Sequence, residues 1–398
     1  MKAAVLEFCR QNKYILPFII LFVTSLFMHA AGHRVVFYVL APFMGWILYE
    51  GRHELKALIQ TKSFVLLSAY LGYFGLTFFW SEHRDPESFF KILRDVTGIM
   101  LFSLTLAFVI PKISLPRLPL YFAGLCVGFA AVSALVFYGV GQQPLSGRLI
   151  GLGRYENSIH FAFLLSYAVL ALVCLGLEGK SKEIALRFIL IVLALLFVAL
   201  SQTRSAYVCL AACIVLLTVL GHVRYALILC TLGVVCAAAT YFIWGGSNGI
   251  LQRLDSYRFE IWSQAWESIK AKPLLGSGIE TEPKFSQDVI FSDGGWKSTH
   301  NVYIGHLFTG GIVGLLIFGA MVANMGVTAV SNWWRERKQG HVQYVTVFSN
   351  LMLCFALISG LFLFTHYIEN VHIHWLVFWA VYSMLWAMEV KSKSIQYA

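Results

Sequence analysis

The chain is written as long apolar runs separated by short polar links. A helix needs about 20 mostly apolar residues to cross a hydrocarbon core of about 30 Å, and somewhat fewer where neighbouring helices shield its ends. Runs of this kind are centred on residues 14–30, 35–49, 63–80, 95–110, 119–139, 159–177, 188–200, 205–220, 225–244, 301–330, 343–364 and 375–389. The pattern predicts an all-α polytopic membrane protein of about 12 transmembrane helices, forming a single integral membrane domain over residues 1–398. One polar interruption, residues 245–300, is long, and it predicts a large loop carrying amphipathic helices. Within it Phe259, Trp262, Trp266 and Ile269 recur at three- and four-residue steps, so Tyr257 to Lys270 reads as a helix with these four on one face and Arg258 beside them. Pro273 stops that helix, Gly276 and Gly278 follow as a flexible turn, and His300 stands at the mouth of the next apolar run.

A second feature of the pattern is Phe188 to Leu220, apolar throughout except at Ser201-Gln202-Thr203-Arg204-Ser205. As one straight helix it would extend about 50 Å, so it is expected to reverse at the polar cluster. Arms of about 13 and 16 residues would fall short of a full crossing and leave Arg204 at membrane depth. A cation there is costly, about 2.5–3.5 kcal/mol on insertion scales, and marks a functional site by default.

Composition agrees with the runs: 59% of residues are hydrophobic and 13% charged, which excludes a soluble globular chain. Lys and Arg orient it. With the N-terminus inside, 17 cations fall on inner links and 7 on short outer links, so both termini are expected in the cytoplasm. The whole net charge of +10 then lies on the inner face, and it is a topology signal, not a nucleic-acid footprint. The first run is read as an uncleaved anchor, not a signal peptide. The eight cysteines lie in or beside apolar runs with no Cys-x-x-Cys spacing, which predicts packing and no disulfide framework.

Other polar residues change the picture less. The link from Ser81 to Arg94 carries Glu82, His83, Arg84, Asp85 and Glu87 and reads as a solvated patch. Residues 142–158 interleave Arg148, Gly151, Gly153, Arg154 and Asn157. They are open to two readings, a plain surface turn or a loop bringing backbone N–H groups and guanidinium forks to an anion. His366, Glu369, His372 and His374 are chemically able to hold a divalent metal, but no Asp-x-Asp or His-Glu-x-x-His accompanies them, and no metal is expected. Gly310, Gly311 and Gly314 allow close helix approach, and His306, nearly two turns beyond His300, reads as a packing residue.

Taken together, Ser201-Gln202-Thr203-Arg204-Ser205, Arg258-Phe259-Glu260-Ile261-Trp262, Pro273-Leu274-Leu275-Gly276-Ser277-Gly278 and His300-Asn301 leading to Gly311 and Gly314 resemble the O-antigen ligase and polymerase superfamily over roughly residues 145–325. The resemblance implies a metal-independent, inverting glycosyltransferase of the bacterial inner membrane, without a cofactor. Its implied donor is an undecaprenyl-pyrophosphate-linked O-antigen and its implied acceptor a lipid A-core oligosaccharide. On this reading the long loop and the active site are periplasmic. His300 is the general base, Arg204 and Arg258 with Arg154 or Arg148 hold the pyrophosphate, and Asn301 supports the base. One large outer loop, with no second soluble domain of the size often attached to the protein glycosyltransferases of the superfamily, favours a ligase; the O-antigen polymerase is the alternative within the superfamily. A lipid-linked oligosaccharide transporter is the alternative from another class; it would need the spans and the buried arginines but not His300.

Overall fold

The computed structural model describes residues 14–113, 117–176, 181–243, 258–283, 298–363, 366–369 and 373–396. They are helical, with no strand among them. In chain order the helices are α1 (Leu16–Phe27), α2 (Ala30–Glu50), α3 (Arg52–Ile59), α4 (Lys62–Leu76), α5 (Pro86–Val109), α6 (Leu118–Ala134), α7 (Ser158–Cys174), α8 (Ser181–Leu200), α9 (Arg204–Val219), α10 (Val223–Ile243), α11 (Arg258–Ala271), α12 (Val302–Lys338), α13 (Tyr344–Ser359) and α14 (Ala380–Gln396). Each of the apolar runs coincides with helix. Among the described residues, six stretches are long and apolar enough to cross a membrane: Ala31–Glu50, Lys62–Trp80, Pro86–Lys112, Leu118–Val140, Ser181–Leu200 and Val302–Lys338.

The chain forms two compact units, interleaved in sequence: residues 1–39, 112–254 and 333–358 make the first, and 40–111, 255–332 and 359–398 the second. The first is built around α7. Its residues are buried without a break from Phe161 to Val173, as expected of a helix apolar on every side, and α6, α8 and α9 pack against it. The cysteines on this unit's helices are free thiols, and Cys126, Cys209, Cys213 and Cys236 are buried; Cys9 lies outside the described residues.

The 188–220 run reverses where its polar cluster predicts. α8 ends at Leu200, α9 starts at Arg204, and Gln202 adopts φ 53° between them. One arm differs from expectation. α8 is already helical at Ser181, well before Phe188, and carries Lys182, Glu183 and Arg187, with Glu183 bridging Arg117 at 2.7 Å and Arg187 at 3.5 Å. At 20 residues it reaches about 30 Å, a full crossing, and only α9 stays short.

In the second unit, α3, α4, α5 and α14 pack together around a polar knot. The buried Glu389 carboxylate accepts the Lys62 and Ser63 backbone N–H groups at 3.0 and 3.2 Å and the Ser63 hydroxyl at 2.6 Å. A carboxylate satisfies the orphan donors and favours the positive end of the α4 dipole. Trp386 Nε1 donates to Thr61 Oγ1 at 2.7 Å and Asn324 Nδ2 to Ser63 Oγ at 3.0 Å, so three segments converge on one helix start.

Candidate functional site

The turn that carries His300 is held from several directions. Asn301 is buried and caps α12: its Oδ1 accepts the Tyr303 and Ile304 N–H groups at 3.0 and 3.1 Å. Thr299 donates its hydroxyl to the Asn301 carbonyl at 3.0 Å, and its own carbonyl accepts Trp262 Nε1 at 3.0 Å. His300 is forced to φ 47°, a left-handed conformation that L-residues adopt only when their surroundings impose it. Its imidazole is half-buried. Burial, and then the positive charge of Arg258, hold its pKa down from 6.5 to about 4. The second unit therefore brings His300 and Arg258 into one electrostatic environment.

Arg258 is the first described residue of α11. Its Nη2 donates to the Phe362 carbonyl at 3.3 Å, and its guanidinium carbon lies 5.4 Å from the Phe362 ring centroid. The described residues are helical from Arg258 on, and Tyr257 lies outside them. On this helix Ile261, Ala265 and Ile269 are buried, Trp262 is half-buried, and Phe259 and Trp266 are exposed. The buried positions repeat at steps of four, so apolar residues line two faces of this helix, one buried and one that leaves Phe259 and Trp266 exposed.

The Pro273–Gly278 motif is a docked clip, not a flexible turn. α12 breaks at Gly311, with φ 62° and ψ −163°, so backbone groups near the break lack helical partners. Ser277 and Gly278 donate their N–H groups to the Phe308 and Thr309 carbonyls at 2.7 and 2.9 Å, and Ile312 and Val313 donate to the Pro273 and Leu274 carbonyls at 2.9 and 3.2 Å. Gly276 has φ +70°, and a Cβ there would lie 2.6 Å from the Thr309 backbone. Gly310 and Gly314 meet the rings of Tyr73 and Phe74, and Tyr73 Oη donates to the Gly310 carbonyl at 2.6 Å, which is the close helix approach their spacing predicts. Gly276→Ala is thus expected to lower the detergent-solubilised protein's unfolding temperature sharply. Gly319→Ala in the same α12, where a Cβ meets nothing within 4 Å, should leave it unchanged or slightly higher. Equal melting of the two variants would remove the clip from the account of the fold.

Arg148, Arg154 and Arg204 belong to the first unit. Arg204 opens α9 and is exposed, while Ser201, Thr203 and Ser205 around it are buried. Arg148 donates through Nε to the Ser201 carbonyl at 2.9 Å and through Nη2 to Thr203 Oγ1 at 3.5 Å, beside the same helix start. Arg154 is half-buried next to Tyr155, His33 and His160. Of the two readings of residues 142–158, the backbone nest loses support: the Leu149, Gly151 and Tyr155 N–H groups bond the Leu200, Tyr155 and Leu152 carbonyls at 3.0, 2.8 and 2.9 Å. Gly151 and Gly153 serve close packing, since a Cβ on either would strike its neighbours.

The histidine-rich link does not form a metal set among the described residues. His374 Nδ1 lies 4.0 Å from Glu369 Oε2, His366 is half-buried and its pKa is lowered to about 4 by desolvation and then by Lys91, and His372 lies outside the described residues. Sequence reasoning passed over Phe362 and Gly360, whose carbonyls hold Arg258 and the Val302 N–H. The Ser359-Gly360 pair at the close of α13 was the available signal for a structured turn.

These features define a multi-pass helical membrane protein with a constrained histidine and an arginine sharing one site. Residues 189–319 match the O-antigen ligase family model, in keeping with the resemblance that the motifs carry. The chain is also 28% identical over 368 residues to the O-antigen ligase of Pseudomonas aeruginosa, covering 91% of this chain and 86% of that one. The matched segment holds Arg204, Arg258, His300, Asn301 and Gly311, and begins after Arg148 and Arg154.

Proposed function

We propose that the protein is an O-antigen ligase of the bacterial inner membrane, transferring a glycan from an undecaprenyl-pyrophosphate donor to a sugar hydroxyl of lipid A-core. The observation that carries this reading is the pairing of a neutral, half-buried His300 with Arg258 inside the segment that matches the ligase family. An acceptor hydroxyl must lose its proton as it attacks the anomeric carbon, and a neutral imidazole accepts it. The electron pair of the breaking glycosidic bond passes to the pyrophosphate, whose developing charge guanidinium forks stabilise without a metal. Arg258 and Arg204 are the assigned ligands. Arg204 is the first residue of a helix, where backbone N–H groups and the dipole already favour an anion. Arg148 and Arg154 support the Arg204 side of this assignment. A single displacement with no carboxylate nucleophile inverts the anomeric centre. The active site is assigned to the periplasmic face and both termini to the cytoplasm, from the distribution of Lys and Arg.

Purified protein given donor and acceptor lipids should form a covalent, anomerically inverted product, and excess EDTA should not stop it. Movement of donor across a bilayer without a new glycosidic bond would make the protein a transporter instead.

The pH profile follows from the His300 environment. The base works deprotonated, so kcat/KM, which reports the free enzyme, should be level above about pH 5 and fall only as pH drops through about 4. A bound pyrophosphate offsets the Arg258 charge that helps depress His300. The acid limb of kcat, which reports the complex, should therefore lie at higher pH than that of kcat/KM. Coincident limbs near 6.5 would mean a solvated imidazole and would count against this site.

A further inference from the structure

His306 does more than fill space. It is fully buried on α12, stacked 4.2 Å from the Phe318 ring and edged by Phe74 at 5.1 Å, yet both ring nitrogens have polar partners. Nδ1 lies 2.6 Å from the Val302 carbonyl, and Nε2 lies 2.8 Å from the hydroxyl of the buried Tyr70 on α4. A carbonyl only accepts, so Nδ1 carries the proton and Nε2 must accept from Tyr70. The Tyr70 hydroxyl in turn receives the Tyr367 backbone N–H.

Val302, two residues after His300, is thereby gripped on both sides. Its N–H donates to the Gly360 carbonyl at 2.8 Å, and its carbonyl receives His306. A left-handed His300 relaxes unless its neighbours fix it, and Val302 anchors the nearest regular turn. The chain shows that the bond to the carbonyl four residues back does not require histidine. Asn332 and Asn350 make it with their amides, each at 2.8 Å, to Thr328 and Thr346. What histidine adds is a second nitrogen, and that nitrogen is spent on Tyr70.

We infer that Tyr70 and His306 are a positioning pair: their hydrogen bond ties α4 to the first turn of α12 and so sets the pose of His300. This rests on His300 being the base of the proposed transfer, and neither member of the pair touches substrate.

Three substitutions separate the pair from packing. Tyr70→Phe keeps the ring and removes the hydroxyl. His306→Asn keeps the bond to Val302 and cuts the link to Tyr70. His306→Gln places an amide oxygen near the Nε2 position, where it accepts from Tyr70. Tyr70→Phe and His306→Asn should each lower kcat about 10- to 100-fold, as sub-ångström misplacement of a base does, with donor KM within about twofold of wild type. Their combination should be no worse than the worse single change, because one link is being cut twice. His306→Gln should recover to within about threefold of wild type. His300→Asn, assayed alongside, distinguishes the two levels. If it transfers normally, the base assignment fails and the inference with it. If it is inactive while Tyr70→Phe and His306→Asn are unimpaired, the inference alone fails. If kcat and donor affinity fall together in His306→Asn, or Tyr70→Phe does not fold, the pair belongs to the fold and the inference is overturned.

Discussion

His300→Asn is expected to reduce transfer by about 10²–10⁴-fold, the loss typical of removing a general base, while the protein keeps its unfolding temperature and its donor binding. Asparagine is the informative replacement. At φ 47° alanine would add a conformational cost of about 1–2 kcal/mol, so a dead His300→Ala would confound chemistry with the fold of the turn. Asparagine visits the left-handed region readily and has no basic nitrogen. The measurement is single-turnover transfer from a labelled lipid-linked glycan, with donor binding followed separately. Retention of more than about a tenth of wild-type rate would show that the acceptor proton leaves by another route, and the histidine's strained turn would then need a different explanation.

How much of this was legible in the sequence varies with the physics of each element. The helices were, because apolar runs bounded by polar links follow from the bilayer alone, and the reversal at Ser201–Ser205 was, because 33 residues are too long for one crossing. The start of α8 was not. Its first turns carry charge, and Glu183 paired with Arg117 and Arg187 makes those turns compatible with helix. His300-Asn301 was recognisable as a motif, but its mechanics were not: that Asn301 is a helix cap and His300 is left-handed depends on where the chain turns. Pro273–Gly278 illustrates a harder limit. Its glycines look like flexibility in one dimension, and only the break at Gly311 shows that they admit a second backbone. On α11 the aromatic stripe was legible, and what its period did not show is the second apolar row, Ile261, Ala265 and Ile269, which is the buried one.

Arg258→Lys should lower kcat/KM at least about tenfold, and Arg258→Gln about 10²–10³-fold, although charge is conserved in the first. The Arg258 side chain contacts one carbonyl and one ring, both of Phe362, so neither substitution should lower the unfolding temperature much. These contacts aim a planar fork that an ammonium cannot reproduce. Arg258→Gln makes a second, independent demand. The Arg258 charge is the lesser of the two influences that depress His300, burial being the greater. Removing that charge should move the acid limb of kcat/KM upward, but leave it below 6.5 because the imidazole stays half-buried. The rate loss and the shift of the limb report different contacts of one side chain, with the donor and with the base. If the rate falls and the limb does not move, Arg258 serves the pyrophosphate alone. If the limb moves and Arg258→Lys transfers like wild type, the residue tunes His300 electrostatically and the phosphate ligand must be sought among Arg204, Arg148 and Arg154.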